Sequence, residues 1–336
     1  MNRRTFLVTA AAAGAGALAA ETRSKMGIAV TSYMSFGRPK DTLEFLEHAS
    51  ALGAGGIQMP LTSRDPDYIR KFRARAEELG MYYEAITALP KAGDTAAFDS
   101  TVAAAKQAGA LAIRVNCLPG RRYENFTNLA DWDQAVAQSH QNIDAAVRIV
   151  EKHQVPLAIE NHKDWTADEM AALMKAKSSR WLGVCLDTGN NISLLDDPMD
   201  TVETLAPYAI CSHVKDMGVA PYPDGFLLSE MPLGEGMLDM RRIVDTIRRA
   251  RPGTRLTLEM ITRDPLKVPC LTDAYWATFP QRNGLYLART LRMVREQEPK
   301  GRPLPVVSAL AHESQLRQEE DNVKKSLAYA RERLGL

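Results

Sequence analysis

The segment PLAIENHKDWTADEM, residues 156–170, contains the transition from strand to helix that is repeated along the chain. Its first part is short and apolar, as is typical of a buried strand, and a carboxylate, an amide and an imidazole follow directly. Thr166 then precedes Glu169 by three residues, a capping-box pattern that predicts the start of a helix. The segment is therefore predicted to be a strand that ends in polar side chains and leads into a helix. Burial of such polar groups is costly unless they have partners.

The same order of elements is repeated along the chain. Several of the predicted strands are apolar almost throughout, as expected for parallel strands that are covered on both faces. The eight predicted strands are GIAVTSY from Gly27, GIQMP from Gly56, MYYEAIT from Met81, AIRVNC from Ala112, PLAIENH from Pro156, LGVCLDTGN from Leu182, AICSHVKD from Ala209 and RLTLEMI from Arg255. Amphipathic segments between them are predicted to be helices, at 41–52, 66–79, 95–108, 131–153, 166–177, 198–205 and 238–250.

Strands that alternate with helices over about 250 residues predict an α/β fold, a (β/α)8 TIM barrel, at residues 26–298. A doubly wound open sheet is the alternative, but no G-x-G-x-x-G motif follows the first predicted strand. Residues 299–336 are predicted to be a linker and a C-terminal helix. This helix could pack on the barrel or on a partner subunit, so association into a homo-oligomer is compatible with the sequence.

The composition argues against several classes of partner. Of the 336 residues, 45% are hydrophobic and 25% are charged, which is ordinary for a globular protein. The net charge of +1 gives no general field for holding nucleic acid, so we expect no nucleic-acid partner. The four cysteines have no CxxC spacing, which argues against a zinc knuckle.

The first residues have the pattern of an export signal. NRRTFLVTAAAAGAGALAA has a basic start, an apolar run rich in alanine and small residues at its end. Arg3 and Arg4 resemble the pair of a twin-arginine signal, and residues 1–20 are predicted to be a signal peptide of an exported, periplasmic protein. A membrane anchor is the weaker alternative because the run is short. No later segment has about 20 consecutive apolar residues, so no membrane span is expected in the mature chain.

Four predicted strands end in residues that can bind a metal. Functional residues of such a barrel lie at the C-terminal ends of its strands, and from the fifth strand onwards these ends carry Glu160, Asp187, His213 and Glu259. The intervals between them are long enough for a helix, so neighbouring strands can supply one residue each. Three carboxylates and one imidazole suit one divalent ion, with Mn²⁺ preferred and Co²⁺, Mg²⁺ or Zn²⁺ as alternatives. Each acidic residue could instead cap a helix or pair with a basic neighbour.

The four residues and their settings, IENH, VCLDTGN, SHVKD and TLEM, resemble those of the xylose isomerase-like TIM barrels. The resemblance covers about residues 27–295, and PLGEGMLDM from Pro232 also recurs in that superfamily. Its members include sugar isomerases and epimerases, inosose dehydratases and family 2 apurinic endonucleases. Endonuclease activity is disfavoured because those enzymes collect three zinc ions with many histidines. Of the six histidines in this chain, only His162 and His213 lie at predicted strand ends.

The resemblance implies that Glu160 and Glu259 bind the metal and also move the proton of the substrate. A divalent ion can stabilise the negative charge of an enediolate. The leading hypothesis is therefore a metal-dependent isomerase or epimerase that acts on a sugar or keto-sugar, a small carbohydrate. A lyase or dehydratase that acts on a 3-keto-glycoside or inosose is the close alternative. A non-catalytic sugar-binding barrel with a structural metal is the third hypothesis.

The chain departs from the ketose epimerases where those enzymes grip the end of a free ketose. Thr166, Asn190 and Val219 stand where the epimerases have a glutamate, a histidine and an arginine. The motifs ENH and HVKD are more similar to those of the inosose dehydratase-like members. This departure keeps the lyase or dehydratase alternative open.

Further residues near the strand ends are candidates for catalysis or substrate binding. His162 shares a side of its strand with Glu160 and is either a catalytic residue or a residue at the strand exit. Lys215 is a candidate acid or electrostatic stabiliser and Asp216 a candidate substrate contact, unless the two form a salt bridge at the rim. Asn116 and Trp165 are candidate substrate contacts because they follow the fourth and fifth predicted strands.

Two long loops, 218–236 and 262–284, are predicted to shape the pocket. Aromatic side chains in them either stack on a sugar ring or anchor the packing. These residues are Tyr222, Phe226, Tyr275 and Trp276, of which Trp276 is the candidate substrate contact.

Overall fold

The structure is a computed structural model that describes residues 24–118, 120–297 and 303–336. The predicted signal peptide, residues 1–20, and part of the predicted linker lie outside the described residues. Within these three ranges, no helix has both the length and the hydrophobicity that a membrane crossing requires.

The strands form one closed barrel and one small sheet. In chain order they are β1 (Gly27–Ala29), β2 (Gly56–Met59), β3 (Tyr82–Ile86), β4 (Ile113–Val115), β5 (Leu157–Glu160), β6 (Leu182–Asp187), β7 (Ala209–Val214), β8 (Asp216–Tyr222), β9 (Gly225–Met231), β10 (Arg255–Leu258) and β11 (Leu266–Val268). The barrel has the order β1-β10-β7-β6-β5-β4-β3-β2, and its paired strands are parallel. Each of the eight predicted strands lies in this barrel, so the predicted fold class is confirmed.

Helices cover the outside of the barrel. They are α1 (Thr42–Ala51), α2 (Pro66–Glu78), α3 (Ala96–Gln107), α4 (Arg122–Asn125), α5 (Leu129–His153), α6 (Ala167–Lys177), α7 (Pro198–Leu205), α8 (Met240–Ala250), α9 (Asp273–Trp276), α10 (Gly284–Gln297) and α11 (His312–Leu334). The predicted capping box is present, because Thr166 accepts from the backbone of Glu169 and Glu169 accepts from the backbone of Thr166. The main core contains residues from the strands and from the inner faces of the helices, such as Phe45, Phe72, Ile113 and Ile159.

The segment after β7 is a β-hairpin, which corrects the prediction of a loop at 218–236. β8 and β9 are antiparallel and joined by a two-residue turn, and β11 pairs with the other edge of β9. Phe226 and Leu228, two residues apart on β9, pack into a second apolar cluster that holds the hairpin against the barrel end. Phe226 and Tyr275 are fully buried in this cluster, so both anchor the packing instead of offering a surface to a sugar.

The C-terminal helix α11 packs on the barrel of its own chain. The Glu319 carboxylate accepts hydrogen bonds from three successive backbone amides, residues 35–37, at 3.2, 3.2 and 2.6 Å. Asn322 Nδ2 donates to Thr262 Oγ1 at 2.9 Å. The helix therefore holds the segments that follow β1 and β10, two strands that are adjacent in the barrel.

Substitution of Glu319 by alanine is expected to lower the free energy of unfolding by about 2 kcal/mol, because it leaves three amides without their acceptor. Chemical denaturation measures this loss. Glu332 lies on the same helix and is exposed, so Glu332→Ala is the matched control and should change stability by less than about 0.5 kcal/mol. A Glu319→Ala variant as stable as this control would show that the contact does not hold the helix.

Candidate metal centre and active site

Glu160, Asp187, His213 and Glu259 converge at the C-terminal end of the barrel. One ligand atom of each lies within 4.8 Å of the others, and all four residues are buried. His213 Nδ1 lies 3.3 Å from Glu160 Oε1, 3.4 Å from Glu259 Oε1 and 3.8 Å from Asp187 Oδ2. They stand at the ends of β5, β6, β7 and β10, which are consecutive in the barrel, so the predicted convergence is present in the structure.

The donor atoms fit one divalent cation. Three buried carboxylates around one ring nitrogen are the donor types that hard and borderline divalent cations prefer. Asp187 Oδ1 accepts from the backbone amides of Gly189 and Asn190 at 2.9 and 2.7 Å. Asp187 Oδ2 has no hydrogen-bond partner among the described residues, although the Lys215 ammonium lies 3.0 Å away without the geometry of a hydrogen bond. The cluster can therefore hold one metal ion.

A polar chain beneath the cluster orients the His213 ring. His213 Nε2 lies 2.6 Å from Gln58 Oε1, and Gln58 Nε2 donates to Glu84 Oε2 at 3.0 Å. Because an amide oxygen only accepts, Nε2 carries a hydrogen and Nδ1 is turned towards the three carboxylates. Burial raises the pKa of Glu84 to about 7. The sequence analysis missed Gln58 and Glu84, although each is a polar residue inside a fully buried part of a strand.

Substitution of Gln58 by leucine is expected to weaken metal binding about 10- to 100-fold, because the histidine loses the acceptor that fixes its ring. Competition with a fluorescent chelator measures the affinity, and circular dichroism checks that the barrel remains folded. Gln141→Leu, at an exposed position on α5, is the control and should bind the metal as the native chain does. Equal affinities of the two variants would exclude an orienting role for Gln58.

Cationic side chains lie against the Oε2 atoms of Glu160 and Glu259. Arg114, from β4, pairs with Glu160 Oε2. Lys215 Nζ lies 2.5 Å from Glu259 Oε2, and Thr31 Oγ1 donates to Glu259 Oε1 at 2.6 Å. Burial raises the pKa of Glu259, but His213 and Lys215 outweigh burial and hold this pKa well below its ordinary value. Both carboxylates are thus fixed in direction, and that of Glu259 remains ionised.

Lys215 lies beside the cluster as a charged ammonium, and His162 lies nearby as a neutral ring. Burial lowers the pKa of Lys215, but Asp187 and Glu259 raise it above its ordinary value, so the ammonium stays charged. Burial and the nearby Lys163 and Lys215 hold the pKa of His162 well below its usual value, so its ring is neutral. His162 Nδ1 lies 3.2 Å from the carbonyl oxygen of Gly120 and donates to it, which leaves Nε2 as an acceptor.

Two candidate substrate contacts have other roles in the structure. Asp216 is not available to a substrate because its carboxylate accepts from four backbone amides, those of Met217, Gly234, Gly236 and Leu238. It thereby fixes the PLGEGMLDM segment. Trp165 is only 3% exposed and packs in the main core beside His140, and its Nε1 has no hydrogen-bond partner among the described residues, so its contact with a substrate stays a prediction.

Two other candidates remain compatible with substrate binding. Asn116 Oδ1 is buried and lacks a hydrogen-bond partner within the described part of the chain. Trp276 is half-buried, donates from Nε1 to the carbonyl oxygen of Cys270 at 3.0 Å and packs edge-on against Tyr275. Their contacts with a substrate stay predictions.

The sequence analysis did not predict the roles of several polar and charged residues around the cluster. Asn190, which it noted only as a departure from the epimerases, donates from Nδ2 to Glu160 Oε1 at 3.1 Å. Asn190 Oδ1 accepts from Lys163 and, at 3.2 Å, from Lys215. Glu230, from the hairpin, pairs with Arg263 at 2.5 Å. The available signal was the presence of single charges in apolar strands, such as the arginine of IRV in β4.

The sequence matches a known family and a curated enzyme. The family model described as xylose isomerase-like TIM barrel matches residues 46–283. A curated relative, the 3-oxo-isoapionate decarboxylase of Pectobacterium atrosepticum, is 27% identical over 236 residues, which are 66% of this chain and 81% of that protein.

Solved structures share the fold at low sequence identity. A D-psicose 3-epimerase crystallised in the presence of D-fructose has a TM-score of 0.60 at 15% identity, with 93% of this chain and 99% of that chain covered. A xylose isomerase-like TIM barrel protein from Mycobacterium smegmatis in complex with magnesium has a TM-score of 0.50 at 17% identity, with 81% and 99% covered. At these identities the likeness shows the fold alone.

Proposed function

The chain belongs to the xylose isomerase-like TIM barrel family, and on this premise we propose that it is a divalent-metal-dependent isomerase or epimerase. Its substrate would be a sugar or keto-sugar that reacts through an enediolate. The observation that carries the proposal is the convergence of Glu160, Asp187, His213 and Glu259 on one point. The relatives and structural neighbours include a decarboxylase and epimerases, which supports catalysis over a purely structural metal.

We propose Mn²⁺ as the metal, with Co²⁺, Mg²⁺ or Zn²⁺ as alternatives, because three of the four donors are carboxylates. Glu160, Asp187, His213 and Glu259 would hold the ion. When bound, it would supply Lewis acidity that stabilises negative charge on the oxygens of a hydroxy-ketone. The magnesium complex of a protein with the same fold is compatible with this choice.

In the proposed mechanism Glu160 and Glu259 exchange a proton with the carbon next to the substrate carbonyl. One carboxylate removes the proton, and the electron pair of the C–H bond forms the C=C bond of the enediolate. Return of a proton to the opposite face of the same carbon gives an epimer, and return to the neighbouring carbon gives an isomer. Arg114 and Lys215 keep both carboxylates in place, and the Lys215 ammonium stabilises developing negative charge.

A lyase or dehydratase is the second candidate because the positions that grip a free ketose in the epimerases serve other purposes here. Thr166 is used in the capping box of α6, and Val219 is buried in the hairpin. The Asn190 amide is bound to Glu160 and to two lysines. From the same enolate, a 3-keto-glycoside or inosose would lose the hydroxyl or alkoxyl group on the next carbon. The C–O bond breaks, its electron pair stays on the departing oxygen, which takes up a proton, and a C=C bond forms beside the restored carbonyl.

Proton exchange in D₂O tests the proposal. The manganese-loaded protein is incubated with ketoses, 3-keto-glycosides and an inosose, and NMR follows loss of the C–H signal and the products formed. Exchange accompanied by an epimer or isomer supports the leading proposal, and an unsaturated product supports the second candidate. Binding without exchange or elimination for every compound would overturn both and leave the non-catalytic sugar-binding barrel.

A further inference from the structure

Lys163 is a buried lysine whose ammonium makes no ion pair with a carboxylate within the described ranges of the chain. Its side chain is 3% exposed, and among the described residues its ammonium has one side-chain hydrogen bond, to Asn190 Oδ1. An ammonium group has three donors. The other cations around the site each pair with a carboxylate: Arg114 with Glu160, Lys215 with Asp187 and Glu259, and Arg263 with Glu230. Two donors of Lys163 therefore have no side-chain partner from the part of the chain that the structure describes, in a place where an unpaired charge is costly.

Asn190 connects Lys163 to the candidate metal centre. Its Nδ2 donates to Glu160 Oε1 at 3.1 Å, while its Oδ1 accepts from both Lys163 and Lys215. One amide group therefore separates the Lys163 ammonium from a proposed metal ligand. The Lys163 ammonium is thus linked through Asn190 to Glu160 and, through the shared Asn190 Oδ1, to Lys215.

The local charge favours an anion at this position. Arg114, Lys215 and Arg263 pair with the buried carboxylates of Glu160, Asp187, Glu230 and Glu259, and Lys163 takes part in none of these pairs. A divalent cation held by Glu160, Asp187 and Glu259 would add positive charge close to Lys163. Burial, with Lys215, lowers the pKa of Lys163 to about 7, and a carboxylate beside it would favour the charged form.

We propose that Lys163 binds a carboxylate of the substrate, and that Asn190 holds its ammonium in position. The substrate class is then an acidic keto-sugar, a hydroxy-ketone that also carries a carboxylate. This inference rests on the proposed function, which it deepens by naming the charge that the substrate carries.

Affinity for matched neutral and acidic keto-sugars tests the inference. D-Fructose and 2-keto-D-gluconate differ only in a hydroxymethyl group against a carboxylate, and D-fructuronate places the carboxylate at the other end of the same chain. Calorimetry with the manganese-loaded protein gives the ratio of affinities for acid and neutral sugar. We expect at least one acid to bind more tightly, and Lys163→Met to reduce the ratio by about 10- to 100-fold. Lys163→Arg should retain most of the preference.

The control is Lys177→Met, which removes a half-buried lysine that pairs with Asp144 on the outer helices. This variant should keep the native ratio. No preference for either acid in the native protein, including failure of both to bind, would overturn the inference, and so would an unchanged ratio in Lys163→Met. Metal-dependent exchange on neutral keto-sugars without any acid preference would overturn this inference alone. An acid preference without exchange on any compound would overturn the proposed function alone.

Discussion

Replacement of Glu160 or Glu259 by glutamine is expected to reduce the rate of C–H exchange by about a thousandfold, and the double variant should show no exchange above that of free substrate. Each substitution removes a group that accepts a proton, and general acid–base catalysis contributes roughly 10²- to 10⁴-fold. It also removes one negative charge from the cluster that holds the metal. NMR in D₂O with each variant saturated with Mn²⁺ measures the rate.

Two measurements separate proton transfer from metal binding in these variants. Glutamine keeps one oxygen ligand, so a high Mn²⁺ concentration should restore occupancy but not exchange. Glu203→Gln is the matched control, because Glu203 is a half-exposed glutamate that pairs with Arg242 on the surface, and it should exchange at the native rate. Near-native exchange in Glu160→Gln and Glu259→Gln would show that neither carboxylate moves the proton.

Removal of the divalent cation is also expected to reduce the rate of C–H exchange strongly. Dialysis against a chelator should reduce exchange at least about a thousandfold, because the enediolate charge would lose its Lewis acid. Addition of Mn²⁺ or Co²⁺ should restore the rate. Since an ion that binds only the folded chain stabilises it, a Mn²⁺ concentration 100 times the dissociation constant should add about 2.7 kcal/mol to the free energy of unfolding.

His213→Ala provides the control for metal removal. This variant lacks one of the four ligands, so the same Mn²⁺ concentration should restore neither the native rate nor the added stability. A chelated protein that still exchanges at the native rate, or a His213→Ala variant that responds to Mn²⁺ like the native chain, would contradict a role of the metal in catalysis.

The sequence predicted the barrel because the pattern that defines it is local and repeated. A short apolar strand, a polar strand end and a capped helix recur along the chain, and closure of the sheet follows from eight such units. The cluster of Glu160, Asp187, His213 and Glu259 could be predicted for the same reason. Parallel strands present their C-terminal ends on one rim, so residues at these positions meet.

What the sequence analysis missed depends on contacts across the barrel or between distant loops. Gln58 lies on β2 and reaches His213 on β7, a neighbour that exists only once the barrel has closed. Asp216 was a candidate substrate contact, but its partners are the amides of Met217, Gly234, Gly236 and Leu238, and the conformation of the segment 234–238 has no local signal. Trp165 was predicted at the pocket from its position after β5, whereas in the structure it is buried in the main core beside His140 of α5.

Two features of the chain stay predictions. The arginine pair at positions 3 and 4 favours export by a twin-arginine route, but residues 1–20 lie outside the described residues. Association into a homo-oligomer also stays a prediction. The exposed apolar side chains at the start of α11 and before it, Val306, Leu310 and Leu316, are a place to test by substitution and sedimentation.

Anomalous diffraction from crystals soaked in Mn²⁺ tests the central claim most directly. We expect one strong peak at the end of the barrel, about 2.0–2.4 Å from an oxygen of Glu160, Asp187 and Glu259 and from Nδ1 of His213. A protein that shows no peak there, or an ion bound by other residues while these four side chains remain paired among themselves, would contradict a shared metal centre and the enzymatic function built on it.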